Sequence, residues 1–326
     1  MPLPRNENSV RDAPAGMAWI AGGTFTMGSE RFYPEEAPLR RVSVDGFWID
    51  ITPVTNRQFA AFIAETGYVT VAETAPDPKA YPGMRPEMVQ AGSLVFHKTA
   101  GPVDTSEFAN WWHFVFGANW RHPLGPESDI EALSLWDHPV VHIAYADAEA
   151  YARWAGKDLP TEAEFEYAAK GGLEDHDYAW GNELAPGGAM MANYWQGLFP
   201  FANQMLDGWE RTSPVATYPA NGYGLFDMIG NTWEWTRDWW SERRDFARRK
   251  QADSCCAAIS NPGGGKLKDS FDPAQPQVRI GRKVIKGGSH LCAANYCQRY
   301  RPAARHPETI DTSTSHIGFR CVQRRP

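Results

Sequence analysis

HPVVHIAYADAEAYARWAGKDLPTEAEFEYAAKGG, residues 138–172, carries the clearest local code in the chain. Within 146–155, Ala148, Tyr151, Ala152 and Ala155 fall on one helical face, and Gly156 stands just past the last turn. Thr161, followed three residues later by Glu164, is a capping box, so a further helix starts there and ends before Gly171-Gly172. Upstream, Thr55 and Gln58 repeat the capping pattern, Phe59, Phe62 and Ile63 keep helical spacing, and Gly67 stops the run. MAWIAGGTFTMGS from Met17 and RRVSVDGFWID from Arg40 alternate as strands do. Beyond 172 the helical period fades, and Gly, Asn, Pro and Trp dominate. The expected fold is α+β: one loop-rich domain of low regular secondary structure over 17–326. Residues 1–16 form a disordered tail in this reading, and 241–280 a polar surface excursion.

Composition agrees with that pattern. The 326 residues include 29 Gly, 25 Pro and 14 Trp, so turn-formers and large rings share the work that long regular elements do elsewhere. A net charge of -7 gives no footprint for nucleic acid, which requires clustered Lys and Arg. The opening MPLPRNENSVRDAPAG lacks the apolar segment of a signal peptide, and no apolar run reaches membrane-spanning length. The expectation is a cytoplasmic protein with no nucleic-acid or membrane partner. The Arg-rich C-terminal stretches, mixed with aromatics and Pro, read as structural.

KGGSHLCAANYCQRYRPAAR, residues 286–305, is the sharpest chemical feature. Cys292 and Cys297 stand five positions apart after a Gly-Gly-Ser turn. Two thiols at this spacing suit a disulfide, a metal site or plain burial. Zinc requires three or four protein ligands, and no second Cys or His pair stands at suitable spacing. Two thiolates alone suit a soft ion of low coordination number, Cu(I) being the natural candidate.

This segment, together with GGTFTMGS (22–29), PVTNRQFAAFIAETGYVT (53–70), GANWRHPLGP (117–126), the 138–172 stretch, ANYWQGLFP (192–200), NGYGLFDMIGNTWEWTRDWW (221–240) and HIGFRCV (316–322), resembles the formylglycine-generating enzymes, or sulfatase-modifying factors. The resemblance runs from Met17 to Cys321 and implies their C-type lectin-like fold. It further implies an oxidase that converts the cysteine of a Cys-x-Pro-x-Arg motif in an unfolded sulfatase polypeptide to Cα-formylglycine. Dioxygen and an external thiol reductant are consumed, and Cu(I) is held between Cys292 and Cys297. Active members carry both thiols, whereas non-generating relatives commonly lack one or both. By the same match, Ser289 hydrogen-bonds oxygen or substrate sulfur, unless it only closes the turn. Tyr296 and Trp233 line the oxygen and thiol pocket, unless they are core rings. Ala293 stands where the family often has His.

The resemblance also implies two Ca2+ loops, neither of them an EF-hand. Asn193, Tyr194, Asp207 and Trp209 form one; Asp227, Gly230, Thr232 and Glu234 form the other, with Asp227 where the family often has Asn. Mixed carbonyl and carboxylate oxygens suit calcium. Structural disulfides of extracytoplasmic members are missing: Ala152 stands where Cys321 would have its usual partner, and Ala169 and Pro302 replace another pair. Cys321 is therefore expected to be a buried free thiol, and Cys255-Cys256 an incidental pair in the surface excursion. Scattered histidines give no non-haem iron pattern. The substrate groove is expected beside the cysteines, walled by Trp111, Trp112, Asn119, Trp120 and Arg121. The alternatives are a catalytically silent relative that binds polypeptide or carbohydrate, and a thiol-disulfide enzyme using the cysteine pair as its redox couple.

Overall fold

The computed structural model describes residues 13–242 and 258–324. Its sheets are small and its helices short, in keeping with the loop-rich α+β expectation. One sheet pairs Met17–Ile20 and Val322–Arg324 antiparallel on either side of Phe47–Asp50, so the two ends of the domain close on one strand. A second sets Gly23–Met27 antiparallel to Arg40–Val44. The largest runs Arg305–Thr309, Arg282–Lys286, Trp233–Trp239, Ile317–Gly318, with only the last pair parallel.

The three expected helices are present. Asn56–Thr66 is capped by Thr55, whose hydroxyl accepts from the Gln58 N–H, and ends at Gly67. Glu162–Lys170 repeats the arrangement with Thr161 and Glu164, and ends at Gly171. The middle helix spans Tyr145–Trp154 rather than 146–155, because the Asp147 carboxylate reaches back to accept from the Ala144 N–H at 2.9 Å and starts the first turn one residue early. The apolar face read from the sequence, Ala148, Tyr151 and Ala152, is buried against Phe59, Phe62 and Phe319.

Of the excursion expected over 241–280, the described residues 258–280 are in part anchored to the domain. Ile259–Ser260 pairs in parallel with Val42 and Ser43, and Ser270 is fully buried, its Oγ accepting from the Arg282 N–H. A β-branched residue and a hydroxyl sufficed to anchor a stretch whose Gly and Pro suggested surface. Residues 1–12 of the expected tail, and Cys255-Cys256, lie outside the described residues.

The Arg-rich C-terminus is structural, as read. Arg301 pairs with Glu36, Arg305 with Glu162 and Arg320 with Glu234, all six side chains being buried; Lys286 and Glu166 form another buried pair at 3.0 Å. Cys321 is a fully buried free thiol in the same apolar cluster as Ala152. No helix among the described residues is long and apolar enough to cross a membrane.

Candidate active site

The cysteine loop begins where the strand Arg282–Lys286 ends. Gly287 and Gly288 both take positive φ, at 90° and 73°. At Gly288 the reason is a close approach: a Cβ there would lie 2.6 Å from the Arg299 carbonyl oxygen, so the turn folds flat against the chain leaving the loop. Ser289 follows, fully buried. Its Oγ accepts from the Leu291 N–H at 3.2 Å, and its own N–H points at Cys292 Sγ at 3.5 Å. The hydroxyl oxygen is thus bonded within the turn. The Cys297 N–H donates to the Ala293 carbonyl at 2.8 Å, closing one helical turn that stacks the two thiols.

Cys292 Sγ and Cys297 Sγ lie 3.3 Å apart, and both thiols are free. They are chemically unequal. Cys292 is 2% exposed, and burial pushes its thiol pKa up. Cys297 is half-buried, and its pKa is pulled down by the hydrogen bond from Cys292, with a further contribution from the Arg299 guanidinium, whose Nη1 is 3.8 Å from the sulfur. The two shifts run in opposite directions, favouring the proton on buried Cys292 and the negative charge on half-buried Cys297.

Around the thiols the expected residues divide. Tyr296 is 41% exposed beside Cys297, stacked on Phe199 at 4.4 Å and edge-on to Trp111 at 5.5 Å, so it stands at the mouth as an aromatic wall. Trp233 is buried in the core cluster that contains Cys292. Ala293 is fully buried and bridges to Trp195, in a cluster with Trp111 and Phe199. Of the expected groove, Trp111 reaches Tyr296, and Trp112 packs against His316 at 4.7 Å. Trp120 instead packs edge-on against Phe59, with Arg121 over its ring, while Asn119 caps a local turn through the Arg121 and His122 N–H groups.

Three residues not singled out in the sequence belong to the site. Glu35 pairs with Arg299; the Tyr33 ring lies under the Arg299 guanidinium at 3.9 Å, and its hydroxyl accepts from the Gln298 N–H. Arg299 was legible as a cation two residues from a cysteine. Tyr33 and Glu35, over 260 residues away (the Glu35–Arg299 separation is 264), left no local signal.

The donor set limits which metals could sit here. Among the described residues no group of three or more His, Cys, Asp or Glu side chains converges. The thiol pair therefore fits only an ion content with two soft ligands, and Cu(I) is such an ion. For calcium, the Tyr194 carbonyl and Asp207 Oδ2 converge on the Gln196 amide, which donates to both, the second at 2.7 Å. Asn193 is buried, with Nδ2 donating to the Arg211 carbonyl, and Asp207 Oδ1 accepts from the Trp209 N–H at 3.0 Å. In the other loop, Glu234 is bidentate to Arg320 at 2.7 and 2.8 Å, and Asp227 accepts from the Ala216 N–H. Burial pushes both carboxyls up, and Asp227 adds to the effect on Glu234. Only Glu234 is paired with the Arg320 guanidinium. The half-buried Asp227 carboxylate accepts from the Ala216 N–H and Asn231 Nδ2 and has no ion pair among the described residues, and the Thr232 hydroxyl oxygen is buried without a partner among them. That excess of negative charge fits a hard cation. Gly230 (φ 78°) lets the loops abut: a Cβ on it would lie 2.5 Å from the Asn193 carbonyl oxygen.

Residues 4–325 match the sulfatase-modifying factor enzyme 1-like domain. The chain is 53% identical over 307 residues to the formylglycine-generating enzyme of Mycobacterium tuberculosis (strain ATCC 25618 / H37Rv), covering 93% of this chain and 96% of that one. It is 35% identical over 332 residues to the inactive C-alpha-formylglycine-generating enzyme 2 of Mus musculus, covering 98% and 89%. Among solved structures, PvdO from Pseudomonas aeruginosa superimposes with a TM-score of 0.62 at 21% identity, over 95% of this chain and 94% of that one, a likeness of fold.

Proposed function

Because the chain belongs to the sulfatase-modifying factor family of formylglycine-generating enzymes, we propose that it is a copper-dependent oxidase that converts the cysteine of a Cys-x-Pro-x-Arg segment in an unfolded sulfatase to Cα-formylglycine. The carrying observation is the pair of free thiols 3.3 Å apart, one buried and one half-buried. The reaction balances when the substrate thiol, dioxygen and a pair of external thiols give the aldehyde, hydrogen sulfide, water and a disulfide. The external thiols therefore supply the electron pair that the substrate does not. Cu(I), held by Cys292 and Cys297, would supply the one-electron redox chemistry with dioxygen that amino-acid side chains lack.

The chain's own residues bind and hold protons. Tyr296, Phe199 and Trp111 offer a ring wall for an extended peptide beside Cys297. Arg299, fixed by Glu35 and Tyr33, stabilises the Cys297 thiolate. In the absence of metal, burial favours the protonated form of Cys292 Sγ, and holding Cu(I) would require that proton to be given up. Ser289 keeps the buried sulfur oriented through its backbone N–H. Calcium, at Asn193, Tyr194, Asp207 and Trp209 and at Asp227, Gly230, Thr232 and Glu234, would have the structural task of holding the loops behind the thiols. The reduced state this chemistry needs is that of the cytoplasm.

The test is aldehyde formation on a synthetic Cys-x-Pro-x-Arg peptide with dioxygen, with and without Cu(I), in the wild type and Cys297→Ser. Copper-dependent product that the substitution abolishes supports the reading. A copper-loaded, folded protein that makes none belongs instead with the silent relatives, and conversion without metal or oxygen would point to a thiol-disulfide enzyme.

A further inference from the structure

The strand Trp112–Phe116 pairs antiparallel with Gly92–Phe96 and with no other strand among the described residues. Its register fixes which way the backbone points. The His97 N–H donates to the Trp111 carbonyl, and the Gly117 N–H to the Ala91 carbonyl. In that phase His113 and Val115 turn their N–H and C=O groups to the partner strand, and Trp112, Phe114 and Phe116 turn theirs outward. The outer edge of the partner strand is used. The Leu94 N–H donates to the Ser313 carbonyl, the Leu94 carbonyl accepts from the Ser315 N–H, and the Phe96 N–H donates to Ser315 Oγ. The outward backbone groups of Trp112, Phe114 and Phe116 have no hydrogen-bond partner among the described residues.

The side chains leave this edge apolar and open. Phe114 is 40% and Phe116 37% exposed, with their rings 5.8 Å apart. Neither strand of the pair carries Pro, Asp, Glu, Lys or Arg, the residues that blunt an exposed edge. The strand Arg305–Thr309, at the end of the largest sheet, carries Arg305, Pro307 and Glu308.

The open edge is complementary to itself. Laid antiparallel about a two-fold axis at Phe114, two copies set Phe114 opposite Phe114 and Trp112 opposite Phe116. Each of these pairs exchanges two backbone hydrogen bonds and is aromatic on both sides. An unrelated extended segment would meet the backbone groups alone. We propose that Trp112–Phe116 is the interface of a two-fold dimer of this chain, which joins two two-stranded sheets into one of four strands. Growth stops at two copies, because residues 313–315 cover the far edge of each sheet. The inference rests on no step of the thiol chemistry.

Sedimentation velocity of the whole protein between about 2 and about 200 µM tests this. The mass is expected to rise from one chain to two, with a Kd of about 10 to 100 µM. The contact is weak because five residues a side fall well short of the about 20 of a standard interface. Phe114→Pro removes an outward N–H and no bond to Gly92–Phe96, so it should fold and stay a single chain throughout. Phe114→Lys and Phe114→Glu each set like charges opposite one another on the axis. Each should stay single alone, and an equimolar mixture should dimerise, which only this register gives. The proposal is overturned if the wild type stays single at about 200 µM, which would leave the edge to another polypeptide. It is equally overturned if Phe114→Lys alone dimerises as the wild type does, if the mixture stays single, or if the mass climbs past two chains.

Discussion

The backbone N–H of Gly230 donates to the carbonyl oxygen of Gly287 at 2.9 Å. One residue on, the Asn231 carbonyl accepts from the His290 N–H at 3.0 Å. The loop that carries Asp227 and Glu234 is therefore clasped to the turn that launches Cys292, and whatever steadies the first steadies the second.

Calcium should be felt at the thiols through this clasp. A chelator is expected to lower Tm by about 5 °C and to speed alkylation of Cys292, with calcium restoring both and magnesium neither. In Asp227→Asn the calcium-induced rise should shrink. Superimposable melting curves in chelator and in calcium would remove the metal from this loop.

Glu234 answers to Arg320 whether or not calcium is bound. Both side chains are buried, and the guanidinium also serves the Phe226 and Asp227 carbonyls. Glu234→Gln leaves a buried cation short of its counter-charge, so a loss of about 3 kcal/mol in urea unfolding is expected. A loss within error of zero would mean that solvent reaches Arg320.

Arg299→Met removes the cation beside Cys297 and spares the loop backbone. The thiolate fraction near neutral pH should fall, slowing iodoacetamide capture of Cys297 about tenfold at pH 7, with less difference above pH 9. The measurement belongs in a Cys255→Ser, Cys256→Ser background so that one accessible thiol dominates. A rate unchanged at every pH would assign the lowered Cys297 pKa to the hydrogen bond from Cys292 alone.

The parts of this molecule that were legible from sequence are those whose cause is local. Thr55 with Gln58 and Thr161 with Glu164 announce helix starts because the capping partners are three residues apart. The Tyr145–Trp154 start was misplaced by one residue because Ala144 has no capping side chain, and the work falls to Asp147. Cys292 and Cys297 were legible because one helical turn brings them together. Tyr33 and Glu35 were not, since nothing near them in the chain speaks of Arg299. Trp120 shows the remaining difficulty: ring identity does not say which wall a tryptophan joins, and this one packs on Phe59 and borders an apolar cavity rather than the thiols.

Gly288→Ala tests the geometry of the cysteine turn itself. The added Cβ would meet the Arg299 carbonyl at 2.6 Å, and φ of 73° is already unfavourable for alanine. The backbone on both sides is pinned, so the clash has no flexible end to yield. A cost of about 2 kcal/mol or more in unfolding is expected, with the Cys292–Cys297 contact loosened enough to weaken Cu(I) uptake. Full stability in the variant would show the turn free to move.

His142 makes stability depend on acid. It is fully buried, with Nε2 2.9 Å from the Pro123 carbonyl and Nδ1 2.7 Å from Ser93 Oγ, and burial lowers its pKa to about 4. The unfolded chain takes up this proton near pH 6.5, whereas the folded chain resists until about pH 4. Between those values the unfolded state binds more protons, so this residue's contribution falls as pH drops through the window and is complete above it. The loss approaches about 3 kcal/mol at the acid end. His142→Asn removes the titration while suiting the backbone, because φ here is 62° and asparagine tolerates that region better than most residues. The unfolding free energy of the wild type should therefore fall relative to that of the variant as pH falls from 7 to 4, whatever their gap at neutrality. Parallel curves across that range would mean the imidazole is protonated in the fold, with its charge met by a group other than Ser93 and Pro123.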